Sequence, residues 1–365
     1  MVIVVPNLRQ LIKAEKKPRR ILRVLAEGVT DDPYLHRDAL DRLQPPGKLT
    51  REQWWMALKL ARASRAQALA LPSSGAGWHY SPVPSSLRLT DLLIGSAPMG
   101  EGRFVLSAQT REAIYSCRLD GIVLADDEAT RQALRARRVP TGPAERVGWN
   151  LFQALRSETS SLGMRSIDEL AVQLTAGTED EGTWPGLSKE LVDALTPFLE
   201  GTIGRGYVPP IVRATAVYAA VREALDNWPP GGRMARAVFV WSGVQLGIGV
   251  IPTLAWSKTL ASAPKKVKRT LKQTLSDEHD LTYFLLHHLE TLELALRERD
   301  QRFNRKRLAE KELTFPPVDE LNERQRALLY RARHRPDMLG LVRLGLLRQE
   351  KHGRAFVYRL AEENS

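Results

Sequence analysis

Apolar residues recur at helical spacing along most of the chain, and strand-like alternation is confined to short stretches such as WHYSPVP. The longest helical pattern follows Asp280, which is placed to cap it. Thr50 with Gln53 and Ser166 with Glu169 have the spacing of capping boxes ahead of two further apolar runs. The pattern predicts a mainly α protein.

The end of the chain changes to shorter elements after a proline-marked linker, FPPVDE. Two short helical patterns, NERQRALLYRAR and DMLGLVRLGLL, are followed by RQEKHGRAFVYRL, a hairpin pattern with His352 and Gly353 at the turn. This order of helix, helix and hairpin predicts a reduced winged helix.

Composition indicates a globular protein with one large or two medium cores, since 43% of the 365 residues are apolar and 26% are charged. The apolar start MVIVVP stops at Pro6, and no later run approaches the roughly 18 apolar residues of a membrane span. We therefore expect a cytoplasmic protein that does not enter the membrane. The single cysteine, Cys117, excludes a disulfide within the chain and a multi-cysteine zinc site.

The net charge of +12 comes from 54 Lys and Arg against 42 Asp and Glu, with basic clusters in KAEKKPRR, PKKVKRTLK and RFNRKR. Such a surface attracts nucleic acid or another polyanion. The clusters lack the interleaved aromatic residues on which bases stack, which favours ordinary solvated helix faces. Weak nucleic-acid binding stays open as an alternative.

The stretch LDNWPPGGRMARAVFVW, residues 225–241, reads as a helix end, a Pro/Gly break and a new helix. Arg233 and Arg236 lie in the first turn of the second helix, where Gly231 and Gly232 can offer backbone N–H groups to an anion. The alternative is that both arginines are surface or structural residues. The sequence leaves open whether this is a plain connection or the remains of a phosphate site.

Four stretches, taken in order, carry a resemblance to a known family. They are PYLHRDALDRLQPPGKLTREQWWMALKLAR, REAIYSCRLDGIVLADDEATRQALRARRVPTGPAERVGWN, VPPIVRATAVYAAVREALDNWPPGGRMARAVFVW, and SDEHDLTYFLLHHLE followed by LNERQRALL. The chain resembles the Fic (Fido-fold) family, in the subgroup with a C-terminal winged helix. The resemblance implies an N-terminal extension over 1–99, a helical Fic core over 100–313, and a linker with a truncated winged helix over 314–365.

The resemblance also implies a chemistry, because Fic proteins usually transfer AMP from ATP to a protein hydroxyl. Their motif reads His-Pro-Phe-x-Asp/Glu-Gly-Asn-Gly-Arg-x-x-Arg. The histidine is the general base, the acid holds magnesium, and the glycine-rich turn and both arginines bind phosphates.

Most of that motif is changed in this chain. Leu225 stands at the histidine position and cannot accept a proton, and Pro229 replaces the metal-binding acid. Pro230 has no N–H to offer, Gly231 replaces the asparagine, and only Gly232, Arg233 and Arg236 match. Loss of a general base costs about 10² to 10⁴ in rate. We therefore expect no catalytic residue, no bound magnesium, and at most weak ATP binding.

A second match concerns the family's inhibitory helix, whose Ser-x-x-x-Glu-Gly motif points its glutamate at the second arginine. Here the matching residues are Ser116, Asp120 and Gly121. The resemblance implies an ion pair from Asp120 to Arg236 that acts as a structural staple. The alternative is that Asp120 caps the helix that begins near Asp126.

Two other departures affect binding. The family's β-hairpin flap, which docks a target peptide, has almost no counterpart between GTWPG and SKELVDAL. RHRPD runs directly into MLGLVRLGLL, so the helix-turn-helix lacks its middle. Of the remaining candidates, GIGVIP is interpreted as structural, and His287 and His288 as one packed and one solvated residue.

The sequence thus favours a degenerate, non-catalytic Fic protein that acts through binding, as a regulator or as the partner of an active paralogue. The alternatives are residual or altered nucleotidyl transfer and a winged-helix regulator that binds nucleic acid. The partner is not identified by the sequence, and a homodimer is compatible with it.

Overall fold

The computed structural model describes residues 33–46, 49–73, 77–96, 102–157, 164–203, 206–312, 347–352 and 355–360. Contacts divide the chain into two compact units, the first ending at Arg299 and the second beginning at Asp300. The described residues are mainly helical, as the sequence predicts. The α-helices are α1 (Arg37–Leu40), α2 (Arg51–Arg65), α3 (Pro84–Ile94), α4 (Arg103–Leu119), α5 (Glu128–Arg135), α6 (Pro143–Arg156), α7 (Met164–Thr175), α8 (Lys189–Glu200), α9 (Pro210–Ala224), α10 (Gly231–Gln245), α11 (Trp256–Ala261), α12 (Pro264–Ser276) and α13 (Thr282–Glu312).

Strands are short in the described parts of the chain. β1 (Gln67–Ala68) pairs antiparallel with β2 (His79–Tyr80). β3 (Leu347–His352) and β4 (Ala355–Leu360) form the hairpin that the sequence predicts. His352 pairs with Ala355, so it is the last residue of β3 and not a turn residue, and Gly353 lies outside the described residues. The helices predicted between the FPPVDE linker and this hairpin, on which the winged-helix interpretation rests, lie outside the described residues.

Helices α9 and α10 form the centre of the first unit. Both are apolar around most of their circumference, which is typical of a helix surrounded by others rather than exposed on one face. Met234, Ala237, Val238 and Phe239 of α10 have no exposed surface. Helix α10 also packs against α4 and α6. The two helices on either side of the Pro/Gly break are thus fixed by the core.

Residues 33–65 pack against residues 277–283 through buried polar contacts. The Tyr34 hydroxyl donates to Asp280 Oδ2 at 2.5 Å, and the guanidinium of Arg62 lies 3.7 Å from the centre of the Tyr34 ring. Arg62 also donates to the Tyr283 hydroxyl at 2.6 Å, and Lys59 Nζ lies 2.8 Å from Asp277 Oδ1. These contacts hold the N-terminal residues on the helical core.

Two of the three predicted helix starts are confirmed. The Thr50 and Gln53 side chains exchange both bonds of a capping box, and Asp280 accepts the N–H of Thr282, the first residue of α13. The prediction for Ser166 is wrong, because α7 is already helical at Met164. Glu169 instead accepts from Arg165 Nε at 2.8 Å, one turn earlier on the same helix.

The interpretation of the two adjacent histidines is also wrong in part, since both are buried. His288 is enclosed by the rings of Tyr218, Phe239, Trp256 and Phe284. Burial lowers the pKa of His288 to about 3, with a smaller contribution from the neighbouring His287. Both side chains are therefore buried, and neither is the solvated residue that the sequence predicts.

The stretch GIGVIP has a structural role, as the sequence analysis expects. Gly247 adopts φ +71°, in the left-handed region, where it ends α10. Ile248, Val250 and Ile251 are buried, and residues 251–253 form a 3₁₀ turn. The turn packs against α4 and α10.

The capping box at Thr50 gives a direct stability prediction. Thr50→Ala should lower the free energy of unfolding by about 1 kcal/mol, because the Gln53 N–H loses its acceptor. Urea denaturation of the full chain measures this, and Thr50→Ser, which keeps the hydroxyl, should avoid most of the loss. An alanine variant as stable as the parent would contradict the capping role.

Candidate functional site

The loop between α9 and α10 is short and internally bonded. Leu225 ends α9, and its carbonyl accepts the N–H of Trp228 at 3.1 Å. The Trp228 carbonyl accepts the N–H of Gly231 at 2.8 Å. One of the two glycine N–H groups predicted to face an anion is therefore already used within the loop.

The residue at the position of the general base is part of the core. Leu225 is 1% exposed. Pro230, which has no side-chain donor or acceptor, stands at the N-cap of α10. Neither Leu225 nor Pro230 therefore offers a titratable group at the ends of this loop.

Glycine is required at both starting positions of α10 because other atoms approach closely. A Cβ atom on Gly231 would lie 2.2 Å from the carbonyl oxygen of Leu225. A Cβ atom on Gly232 would lie 2.4 Å from Asp120 Oδ1. Gly232 thus makes room for a carboxylate that comes from α4.

That carboxylate binds the start of α10 with both of its oxygens. Asp120 Oδ1 accepts from Arg236 Nη2 at 2.6 Å, and Oδ2 accepts the backbone N–H of Arg233 at 3.0 Å. The guanidinium of Arg236 also donates to the hydroxyl of Ser116 at 2.6 Å and to its carbonyl at 2.8 Å. The ion pair expected between Asp120 and Arg236 is present, and the anion at this helix N-terminus is Asp120 itself.

The environment of Arg236 keeps its guanidinium charged. Burial is the largest single effect and lowers the pKa of Arg236, but the charges of Asp120, Tyr218 and Glu112 together with the Asp120 hydrogen bond raise that pKa above its ordinary value. A charge-assisted hydrogen bond of this length is among the stronger polar contacts in proteins. Removing either partner would leave a buried charge without compensation.

Arg233 has a second carboxylate partner that the sequence does not reveal. Its Nη2 lies 2.8 Å from Asp180 Oδ2, while its Nη1 lies 3.6 Å from Asp120 Oδ2. The side chain is only 2% exposed, so it is not a surface residue. Asp180 lies in a turn between α7 and α8, and no motif or spacing marks it. Both arginines of the expected anion site are thus paired within the chain.

The end of α4 explains how Asp120 reaches α10. Gly121 adopts φ +86°, and the N–H of Ile122 bonds to the carbonyl of Cys117, which together form a Schellman motif. The helix therefore stops directly after Asp120, which is its C-cap. Gly121 thus has a structural role in placing the carboxylate.

The alternative role for Asp120, as the cap of the next helix, does not occur. Asp127 is the N-cap of α5, and its Oδ1 accepts the N–H of Thr130 at 2.8 Å. Asp126 instead pairs with Arg131 at 2.7 Å.

Another buried acid on α4 lies one turn before Ser116. Glu112 accepts the N–H of Ser257 at 2.9 Å and also accepts from its hydroxyl, which fixes the first turn of α11. Burial raises the pKa of Glu112 to about 7, against the opposing effect of the Ser257 bonds. In the sequence, only the separation of four residues between Glu112 and Ser116 indicates that both lie on one face of α4.

Trp228, which belongs to the loop, packs against Trp184. The Trp184 and Trp228 rings lie 4.8 Å apart, and Trp228 Nε1 donates to the hydroxyl of Thr183 at 3.0 Å. From there the chain runs to Ser188, the N-cap of α8, without a strand in residues 177–188. An indole pair thus connects the loop to residues 183–184.

The donors at the start of α10 already have acceptors within the chain. Asp120 accepts the Arg233 N–H, and Arg233 and Arg236 both have carboxylate partners. No cluster of three or more His, Cys, Asp or Glu suited to a metal ion occurs in the part of the chain that the structure describes. No helix within the same residues is long and apolar enough to cross a membrane.

The close approach at Gly232 predicts a coupling between two substitutions. Gly232→Ala should lower the free energy of unfolding by about 1 to 3 kcal/mol, because the new methyl group displaces a carboxylate that Arg236 and the Arg233 N–H hold in place. In an Asp120→Ala background the same change should be neutral or stabilising by up to about 1 kcal/mol, as for a glycine in an open helix. Chemical denaturation of the four proteins measures the coupling. Equal effects in both backgrounds would show that Asp120 does not occupy this space.

Comparison with known proteins gives one informative result. No protein-family model matches the sequence, and no curated protein matches it either. Among solved structures, the chain is similar to a Fic family protein from Desulfovibrio desulfuricans G20, with a TM-score of 0.50 and 17% sequence identity. The similarity covers 78% of this chain and 98% of that one. At this identity the likeness establishes the fold alone: the chain has the Fic fold.

Proposed function

We propose that this chain is a non-catalytic Fic-fold protein that acts through binding, as a regulator or as the partner of an active paralogue. The observation that carries the proposal is the Asp120 carboxylate at the start of α10, bonded to Arg236 and to the Arg233 N–H. A transferase with this fold needs that position for the phosphates of its nucleotide.

Four further features support the proposal. Leu225 is buried hydrocarbon at the position of the base, and Pro229 offers no ligand to magnesium. Pro230 has no N–H, so the loop between α9 and α10 has one backbone donor fewer to offer an anion. Asp180 pairs with Arg233, so activation would require two ion pairs to break rather than one.

The reaction test uses labelled ATP with magnesium. The parent protein should transfer no AMP to itself or to proteins of a cell lysate, and Asp120→Ala should not activate it, since base and metal ligand are both missing. Leu225→His should also stay inactive, because it restores the base without the metal ligand at Pro229. An active Fic adenylyltransferase is the positive control.

Labelling by the parent or by Asp120→Ala would contradict the proposal if it disappears in Arg233→Ala. That result would instead favour the alternative of residual or altered nucleotidyl transfer. Labelling that survives in Arg233→Ala would indicate a contaminating enzyme, which repeated purification would remove.

Nucleic-acid binding is a second candidate function, favoured by one observation in the hairpin. Arg348 of β3 and Arg359 of β4 are register partners. The register brings two basic residues together in the hairpin, and a concentration of positive charge attracts a phosphate backbone. With the shortened helical pattern ahead of the hairpin, such binding would rest on charge rather than on base contacts.

Duplex binding should accordingly be weak, indifferent to sequence and steeply reduced by salt. Replacing both Arg348 and Arg359 by Gln should lower the slope of log affinity against log salt concentration by about 2, whereas Arg165→Gln, an exposed arginine on α7, should change it less. Fluorescence anisotropy with a labelled duplex measures both. A single preferred operator selected from random DNA would contradict charge-only binding.

A further inference from the structure

An open pocket of about 650 Å³ lies between residues 33–43, helix α12 and helix α13. Its volume is in the range of small-molecule sites. None of its lining residues belongs to the contacts around Asp120, Arg233 and Arg236. The pocket is therefore a separate feature of the molecule and does not depend on the function proposed above.

One part of the pocket wall is apolar. Tyr34, Tyr283 and Leu286 belong to one hydrophobic cluster, and the two tyrosine rings meet edge to face with centres 5.0 Å apart. Their hydroxyl groups are directed to other partners, Tyr34 to Asp280 and Tyr283 to Asp277. The wall thus offers ring and aliphatic carbon to the apolar part of a ligand.

Another part of the pocket lining is charged, and its Lys and Arg side chains outnumber its carboxylates. Lys266 pairs with Glu290 at 2.9 Å, and His36 lies 3.1 Å from Asp38. Arg42 and Arg269 also line the pocket and are exposed. Neither arginine has a carboxylate within ion-pair distance among the described residues.

The wall also contains a polar group whose bonding is incomplete. His287 lines the pocket and is 7% exposed, and its two ring nitrogens are buried without a hydrogen-bond partner in the described part of the chain. Burial, and then the charge of Lys266, lower the pKa of His287 to about 4, so the ring is neutral near pH 7. Buried polar groups are nearly always satisfied, so His287 brings an unused donor and an unused acceptor to the wall of the pocket.

We propose that this pocket binds an amphipathic organic anion, with its apolar body against Tyr34, Tyr283 and Leu286 and its anionic group between Arg42 and Arg269. The presence of an apolar wall beside exposed arginines distinguishes this pocket from a general basic surface, which would attract anions of any kind. It also distinguishes the pocket from a plain apolar groove, which would not prefer an anion over a neutral molecule of the same shape.

Two fluorescent probes with the same aromatic body test the proposal on the full chain. 1-Anilinonaphthalene-8-sulfonate carries an anionic group, and N-phenyl-1-naphthylamine is its neutral counterpart. The sulfonate should bind saturably and about tenfold more tightly than the neutral probe, since charge-assisted contacts add to the burial of the rings. Arg42→Gln with Arg269→Gln should remove that preference and leave the affinity for the neutral probe unchanged.

Lys265→Gln is the matched control, because Lys265 is an exposed cation on the same helix as Arg269 but does not line the pocket. It should leave sulfonate binding within about twofold of the parent. The exposed arginines tolerate substitution, and circular dichroism verifies that each variant is folded. Equal affinity for both probes, no saturable binding, or an equal loss in Lys265→Gln would each overturn the proposal.

Discussion

The carboxylate of Asp120 determines how the centre of this protein is arranged. It joins the end of α4 to the start of α10 by accepting from the Arg236 guanidinium and from the Arg233 N–H. A helix N-terminus concentrates unsatisfied donors and positive potential, which an anion must satisfy when the terminus is buried. Here the anion belongs to the chain, so the core is complete without a ligand.

Several features follow from this contact. Gly232 must lack a side chain because the carboxylate occupies that space, and Gly121 must end α4 directly after Asp120. Arg233, buried beside it, requires Asp180 as a further acceptor. Two buried arginines are therefore paired with two carboxylates. Removing one partner of either pair should lower the free energy of unfolding by about 3 to 5 kcal/mol. The Fic fold is built here around an internal ion-pair network between α4, α10 and the turn that carries Asp180.

Much of this arrangement could be predicted from the sequence, because it rests on local spacing. The Thr50 capping box and the β3–β4 hairpin follow from residues at fixed local separations, whereas the pairing of Asp120 with Arg236 was implied by the resemblance to the Fic motifs. Asp180 could not be predicted, since only the tertiary fold brings its turn to Arg233. The Ser166 prediction was wrong because α7 is already helical at Met164, so Ser166 lies inside the helix and not at its start. The burial of both His287 and His288 depends on helices packed on two sides of α13, which a helical period alone does not indicate.

Titration with inorganic phosphate tests most directly whether Asp120 fills a working anion site. The parent should bind phosphate with a dissociation constant no tighter than the order of 10⁻⁴ M, about −5 kcal/mol, because its own carboxylate competes. Asp120→Ala should bind phosphate more tightly, as Arg236 and the Arg233 N–H lose their acceptor, and adding Arg236→Ala should cancel the gain. Calorimetry on the three proteins decides the matter. If neither substitution changes the affinity for phosphate, the two arginines are scaffold and the account of an internally filled anion site is wrong.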